Sequence, residues 1–292
     1  MQLKSWLIIL VICCSVASVG RAKHVRLYAC TLANDDPSAF MAGSSLGAGL
    51  WVSDDSGSSW KQIGWKHVKC YSVAIDDSSN GQILYQACGN GLLRSSDGGE
   101  HWRMLTDWRV SEVMDVLIDK KDRKTIVIAT ATGLWKTTDT GEHWIELGPR
   151  TYCSQLHYDA VTGSIAGGPR VFRLSDSLTY SISDAGSINR NGKQIVRTVS
   201  KRGGLWSLVE AHERLFIGGE RGIYECDSAN HLLRMSDAPP NIHSMVKIGT
   251  RLFLASLTSG IWTAVASQKE LGFARSGLET LQVWSIHSKE IE

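Results

Sequence analysis

The sequence has 292 residues, among them 28 Gly, 5 Pro and 11 Trp, and is 43% hydrophobic and 21% charged. That composition excludes a disordered or collagenous chain. The net charge is +2, and the first 22 residues hold Lys4 and Arg21 but no acid, so the remainder is formally neutral. A balanced chain of this kind offers no concentrated basic face, which argues against nucleic-acid binding.

Residues 1–22 read as a secretory signal peptide. Lys4 supplies the positive start, Trp6 to Val16 the apolar stretch, and Ser15-Val16-Ala17 or Gly20-Arg21-Ala22 the small-residue cleavage site. The alternative for this stretch is an uncleaved anchor. No later apolar run approaches 18 residues, so no membrane span is expected after cleavage. Residues 23–292 are expected to form one domain in a secreted or periplasmic setting.

Strand-like segments then follow in chain order. Residues 25–32 and 39–45 supply two apolar runs ahead of Gly49-Leu50-Trp51. Between them and that segment, Gly43, Ser45 and Gly47 match a nucleophile-elbow pattern, but the pattern needs a strand–turn–helix setting and here would join two strands. The next unit has apolar runs at 71–76 and 82–87, then Gly91-Leu92-Leu93. The third has runs at 113–119 and 125–130, then Gly133-Leu134-Trp135. Short β-branched runs separated by turn residues are hairpin strands.

Ser53-x-Asp55-x-Gly57-x-x-Trp60, Ser95-x-Asp97-x-Gly99-x-x-Trp102 and Thr137-x-Asp139-x-Gly141-x-x-Trp144 repeat at an interval of 42 residues without gaps. Internal repeats of this length signal stacked supersecondary units. Weaker units follow at 154–159, 163–168 and 170–176 (with Phe172 in the aromatic slot), at 206–227, and at 244–265. Residues 188–204 read as a basic surface insertion in the fourth unit. A last segment, 282–288, resembles the opening strands of the other units and would be either a closing strand or the start of a seventh blade. The expected fold is all-β, a β-propeller of six four-stranded blades, with seven as the alternative.

The repeated motif resembles the Asp-box (BNR) repeat of sialidases, xyloglucanases, sortilin-like receptors and photosystem assembly factors. Its residues suit a turn: the carboxylate accepts main-chain N–H groups, Gly permits positive φ, and Trp buries a ring between blades. The resemblance implies that Asp55, Asp97 and Asp139 are structural, and their placement in successive blades keeps them from converging on one substrate. The Phe/Tyr-Arg-Ile-Pro segment of sialidases is missing between Lys23 and Ser53, so the resemblance supports the fold and leaves catalysis open.

Ligands of propellers meet the loops that join the fourth strand to the next first strand and the second to the third. Those loops carry Trp65, Lys66, His67, Trp108, Arg109, Glu112, Arg150, Tyr152, Arg170, Arg202, Glu220, Arg221 and His243. Trp, Tyr and Arg are the usual anchors of binding sites. The nine His show no metal-ligand spacing and no nucleotide fingerprint occurs, so neither metal nor other cofactor is expected. Five Cys remain beyond residue 22, and Cys70 and Cys88 flank one hairpin symmetrically, which suggests a disulfide. Of the Trp outside the repeat slots, Trp65 and Trp108 are expected to meet a ligand ahead of Trp206 and Trp284. The expected function is non-catalytic binding of a glycan or protein partner through the loop face. The alternative is a glycoside hydrolase or polysaccharide lyase acting on an anionic polysaccharide.

Overall fold

Runs of alternating apolar residues broken by Gly, Asn and Asp fold as antiparallel strands throughout. The computed structural model describes residues 24–34, 48–158, 165–168, 170–175, 178–182, 187–196, 204–211, 213–266 and 271–291. Within them lie seven antiparallel sheets, six of four strands and one of two, arranged as the blades of a β-propeller. The second sheet (Cys70–Ile75, Leu84–Cys88, Gly91–Ser95, Arg103–Met104) and the third (Val113–Ile118, Ile126–Thr130, Gly133–Thr137, Ile145–Leu147) show the repeat unit in full. The sixth (Leu205–Ala211, Arg214–Gly219, Gly222–Cys226, Leu232–Arg234) and the seventh (Ile242–Ile248, Arg251–Ser256, Gly260–Ala266, Leu271–Arg275) follow the same order. Among the described residues no helix is long and apolar enough to cross a membrane.

The two ends of the described chain meet in one sheet. Leu281–Ile291 pairs with His24–Asn34, which pairs in turn with Gly49–Ser53, and Lys61–Ile63 completes the first sheet. The segment at 282–288 is therefore the first strand of the first sheet. This corrects the expectation for 25–32, which takes the second position and pairs directly with the Gly49 strand, leaving no place between them for 39–45. That segment lies outside the described residues, as do the signal-like stretch 1–22, the Gly43–Gly47 pattern and Arg202.

The fourth unit departs further from expectation. Its hairpin, Leu156–Tyr158 with Ile165–Gly167, stands as a two-stranded sheet, and Arg170–Ser175 instead opens a new sheet with Leu178–Ile182, Ile188–Arg190 and Lys193–Val196. Residues 188–196 are thus blade strands, with Ile188 and Val196 buried, and not a surface insertion. The reason is local. Asn191 and Gly192 sit at φ 48° and 78°, the backbone of a two-residue hairpin turn whose twist matches that of its flanking strands.

Apolar side chains fill the seams between sheets. Tyr85, Ala87 and Leu92 of the second sheet meet Val113, Val116, Ile126 and Ile128 of the third. Leu27, Ala29 and Val283 of the first meet Phe253, Ala255 and Ile261 of the seventh. Burying each such aliphatic or aromatic chain contributes about 1.5–3 kcal/mol. The repeat tryptophans close these seams: Trp60 Nε1 donates to Ser276 O of the preceding sheet at 2.6 Å, and Trp144 Nε1 to Leu105 O at 3.0 Å. Trp102 packs against the buried cluster between the first and second sheets, which includes Tyr28, Leu50 and Val73, while its Nε1 donates locally to Gly99 O.

The aspartate of each repeat organises its turn. Asp97 Oδ1 accepts from Ser95 Oγ at 2.8 Å, from Glu100 N at 3.1 Å and from His101 N at 3.0 Å, while Gly99 N donates to Ser95 Oγ. Asp139 repeats the arrangement with Thr137, Glu142 and His143. Asp55 does so with Ser53 and Ser59. These bonds to the ionised form hold the carboxyls below the usual range, Asp55 at about 2. Each His also faces its aspartate, His101 Nδ1 at 2.7 Å and His143 Nδ1 at 2.6 Å. Asp227 builds a fourth such turn with His231, where Asn230 at φ 64° supplies the left-handed residue. That copy carries Glu225, Ala229 and Leu232 at the Ser/Thr, Gly and Trp positions of the motif.

Cys70 and Cys88 do stand opposite each other across the hairpin. The expected disulfide is nonetheless absent: both are free, buried thiols. Each sulfur turns to a main-chain carbonyl, Cys88 Sγ to Gly91 O at 3.1 Å and Cys70 Sγ to Ser72 O at 3.9 Å. Burial pushes the Cys88 thiol up to about 11.

Candidate ligand-binding site

The first strands of the sheets share one irregularity. In five of them the register slips by one residue near the start, so that two residues face one on the partner strand. The extra residues are Tyr71, Met114, Trp206, His243 and Trp284. Such a bulge re-aims a side chain that regular pairing would place on a sheet face. Here it sends large side chains toward the axis where the first strands of neighbouring sheets meet.

The residue after each bulge is Ser or Asp, and several of these reach the next sheet. Ser285 Oγ donates to Tyr71 O at 2.9 Å, and Ser244 Oγ accepts from Ile286 N at 3.3 Å. Asp115 accepts from Val116 N and from Leu156 N of the two-stranded sheet, both at 2.9 Å. His243 Nδ1 lies 2.7 Å from Trp284 O. The centre is thus tied sheet to sheet by short polar side chains. Net bonds of this kind contribute about 1 kcal/mol each.

The aromatic bulge residues form an arc across four consecutive sheets. Ring centroids stand 5.4 Å apart from Trp206 to His243, 3.9 Å from His243 to Trp284, and 5.9 Å from Trp284 to Tyr71, the last pair edge to face. Tyr71 and Trp284, with Met114, Asp115 and Leu156, bound a central cavity of about 230 Å³. Tyr71 donates its hydroxyl to Glu112 Oε2 at 3.1 Å, and burial with the nearby Glu112 carboxylate pushes its phenol up to about 12. Burial holds the His287 imidazole down at about 4, so this ring is neutral at physiological pH, with Nε2 3.0 Å from Ser285 Oγ.

The loops named from the sequence surround the same end of the sheets. Trp65 is 41% exposed, Trp108 86% and Tyr152 67%, on three successive loops between fourth and first strands. Lys66 and His67 are exposed next to Trp65 in the chain, and Arg221 is exposed on the turn between the second and third strands of the sixth sheet. Arg109 is paired with Asp107 and lines a separate groove between the second and third sheets, and Arg150 is paired with Glu146. Arg170 opens a strand whose side chains are not described. Of the full set read from the loops, the structure brings His243 into the central cavity and Glu112 onto Tyr71. Trp65, Lys66, His67, Trp108, Arg109, Arg150, Tyr152 and Arg221 lie outside the cavity lining.

Sequence reasoning missed Tyr71, Met114 and His287, and ranked Trp206 and Trp284 behind the loop tryptophans. A signal was present. Cys70-Tyr71-Ser72-Val73, Val113-Met114-Asp115-Val116, Leu205-Trp206-Ser207-Leu208, Ile242-His243-Ser244-Met245 and Val283-Trp284-Ser285-Ile286 share one pattern of apolar, large, Ser/Asp, apolar. Two adjacent non-polar residues followed by a polar one break strict alternation, which is the mark of a bulge.

The aspartate turns join third to fourth strands. Because the strands alternate in direction, these turns lie at the opposite end of the sheets from the cavity mouth. Asp97, Glu100 and His101 do bring three ligand-type atoms within 4.8 Å of one another on one such turn. Asp97 Oδ1 there already accepts the main-chain groups that shape the turn, and Oδ2 faces the His101 ring.

No family model and no curated protein matches the chain. Among solved structures it is similar to Sqt1 of Saccharomyces cerevisiae, with TM-score 0.54 and 14% identity over 81% of each chain. It also aligns with YCF48 bound to D1 peptide (TM-score 0.47, 14% identity, 85% of this chain and 88% of that one). A third alignment is to the extracellular domain of the putative one-component system BT4673 of B. thetaiotaomicron (TM-score 0.45, 17% identity). It covers 91% of this chain and 36% of that one, so the chain spans about a third of that domain. At such identities the likeness to Sqt1 is one of fold.

Proposed function

We propose that this chain is a secreted or periplasmic, non-catalytic β-propeller built on Asp-box turns, and that it binds a glycan or protein partner through its loop face. The observation that carries the reading is the placement of three exposed aromatic rings, Trp65, Trp108 and Tyr152, on successive loops around the end where the central cavity opens. Large exposed rings are costly to leave in water and mark contact surfaces when they cluster. The signal-like residues 1–22 support export. The Ser/Thr-x-Asp-x-Gly-x-x-Trp turns, with their shared hydrogen bonds, support the Asp-box assignment.

A glycoside hydrolase or polysaccharide lyase is the second reading, favoured by the Tyr71–Glu112 pair beside the cavity. A nucleophilic phenol needs a base to take its proton: Glu112 Oε2 stands 3.1 Å away in that position, while burial first, then the Glu112 carboxylate, holds the Tyr71 phenol up at about 12. A glycan-array and product-release assay on the purified protein decides between the two. Binding without released sugar is the expected result, and released sugar overturns the non-catalytic reading.

A further inference from the structure

The 42-residue interval lets one face be compared across three successive sheets. Leu50, Leu92 and Leu134 hold the same place on the third strand, and Ile63, Leu105 and Leu147 lie opposite them on the fourth. In the second sheet this face is covered, and both Leu92 and Leu105 are buried. The aspartate turn of the third sheet supplies part of the cover. A Cβ at Gly141 would lie 2.7 Å from Leu105 Cδ1, and Trp144 Nε1 donates to Leu105 O. Gly99 sits in the same way against Ile63 of the first sheet.

The third sheet has no such cover. Among the described residues the fourth sheet consists of Leu156–Tyr158 and Ile165–Gly167, without an aspartate turn or a seam tryptophan. Gly167 still reaches Leu134, whose Cδ1 would lie 3.1 Å from a Cβ there. Even so, Leu134 and Leu147 are only half-buried. Ile145, two residues before Leu147 and so on the same face, is 65% exposed. Its counterparts at the 42-residue interval are Lys61 and Arg103, and Arg103 pairs with Glu142 of the covering turn. Where the other two sheets carry a cation, the third carries an apolar chain that is costly to leave in water.

The strand edge beside this face is open as well. Ile165–Gly167 pairs on one side with Leu156–Tyr158, and no described strand pairs with its other side. Such an edge offers main-chain N–H and C=O groups to an extended segment. A convex folded surface could cover the apolar face but would leave those groups unpaired. A strand does both: it pairs with Ile165–Gly167 and lays alternate side chains on Leu134, Ile145 and Leu147.

We propose that the outer side of the fourth sheet is a docking groove for an extended, apolar, aromatic-bearing segment of a partner protein, which adds a third strand to that sheet. Leu134, Ile145, Leu147 and Ile165–Gly167 lie outside the central cavity lining and carry none of the exposed loop rings. The inference therefore stands apart from the reading of the loop face.

The test adds a fluorescein-labelled synthetic peptide of residues 132–147 to the full-length protein. Within the chain that stretch holds Gly141 and Trp144, which cover Leu105. Anisotropy should show saturable binding, and hydrogen exchange should show new protection at Ile165–Gly167. Ile145→Lys in the protein, at an exposed position, restores the cation of the other sheets and should weaken binding about tenfold. The peptide N-methylated at every residue from 133 to 137 keeps its side chains but cannot pair, and should not bind. No binding, binding indifferent to Ile145→Lys, or binding that survives N-methylation overturns the proposal. A dimer of the unaltered protein that Ile145→Lys splits, seen by sedimentation, also overturns it, in favour of a second copy seated in the groove.

Discussion

The aspartate turns and the strand bulges are two repeated devices at opposite ends of the same sheets, and they differ in how far their causes reach. A turn is closed by bonds that span no more than four positions: Ser95, Asp97, Gly99 and His101 bond among themselves. A bulge is set by the register of a neighbouring strand and held by another sheet. Ser285 reaches Tyr71 across 214 positions of sequence, and Ser244 reaches Ile286 across 42. The turns build the scaffold, and the bulges supply a lining for the cavity. Perturbing a turn should therefore cost stability, whereas perturbing the loops or cavity wall should cost binding.

The largest effect is expected at Gly141→Val. Gly141 sits at φ 96°, and a Cβ there would lie 2.7 Å from Leu105 Cδ1, so backbone strain and overpacking combine to about 3 kcal/mol. Urea denaturation would show it, and an unshifted midpoint would refute the seam geometry. Next comes Trp144→Ala, which removes a seam ring and its bond to Leu105 O. Since the ring is only partly buried, about 2 kcal/mol is expected, less than the roughly 3–5 kcal/mol of a fully buried ring.

At the other device, Ser285→Ala breaks one tie between the first and second sheets, for about 1 kcal/mol. The same substitution should slow neither folding of a single hairpin nor its register, so its effect belongs to contact between sheets. Smaller still is the acid response, because the turn carboxylates face solvent and are screened. Asp55, Asp97 and Asp139 have depressed folded-state pKa values, so their contribution is fully present above the unfolded value near about 4 and is lost as pH falls through the lowered folded-state values, about 2 for Asp55. Thermal melts between pH 5 and 2 should steepen less in Asp97→Asn than in the unaltered protein. The smallest stability change is expected for Trp108→Ala, within about 0.5 kcal/mol at so exposed a site, while partner binding falls. A large loss of stability there would erase the distinction between scaffold and binding surface.

How much could be read without coordinates follows the same division. The 42-residue interval, the aspartate turns, the seam tryptophans and the all-β class were readable because each is written in contiguous residues. The fourth turn at Asp227 escaped because Glu225, Ala229 and Leu232 stand where Ser/Thr, Gly and Trp were sought. The split of the fourth unit escaped because residues 188–196 were read by their charge and not by the Asn191-Gly192 turn between them. Tyr71, Trp206, His243 and Trp284 carry a recurring pattern that is visible once the bulges are known.

By itself, then, the sequence determined the repeat and the turn chemistry, since both depend on hydrogen bonds between near neighbours. Tertiary structure decided which strand completes the first sheet, that seven sheets and not six units form, and which large side chains face the axis. Those outcomes depend on register between strands far apart in the chain. A one-residue slip there changes where a side chain points without changing the composition or periodicity of its segment.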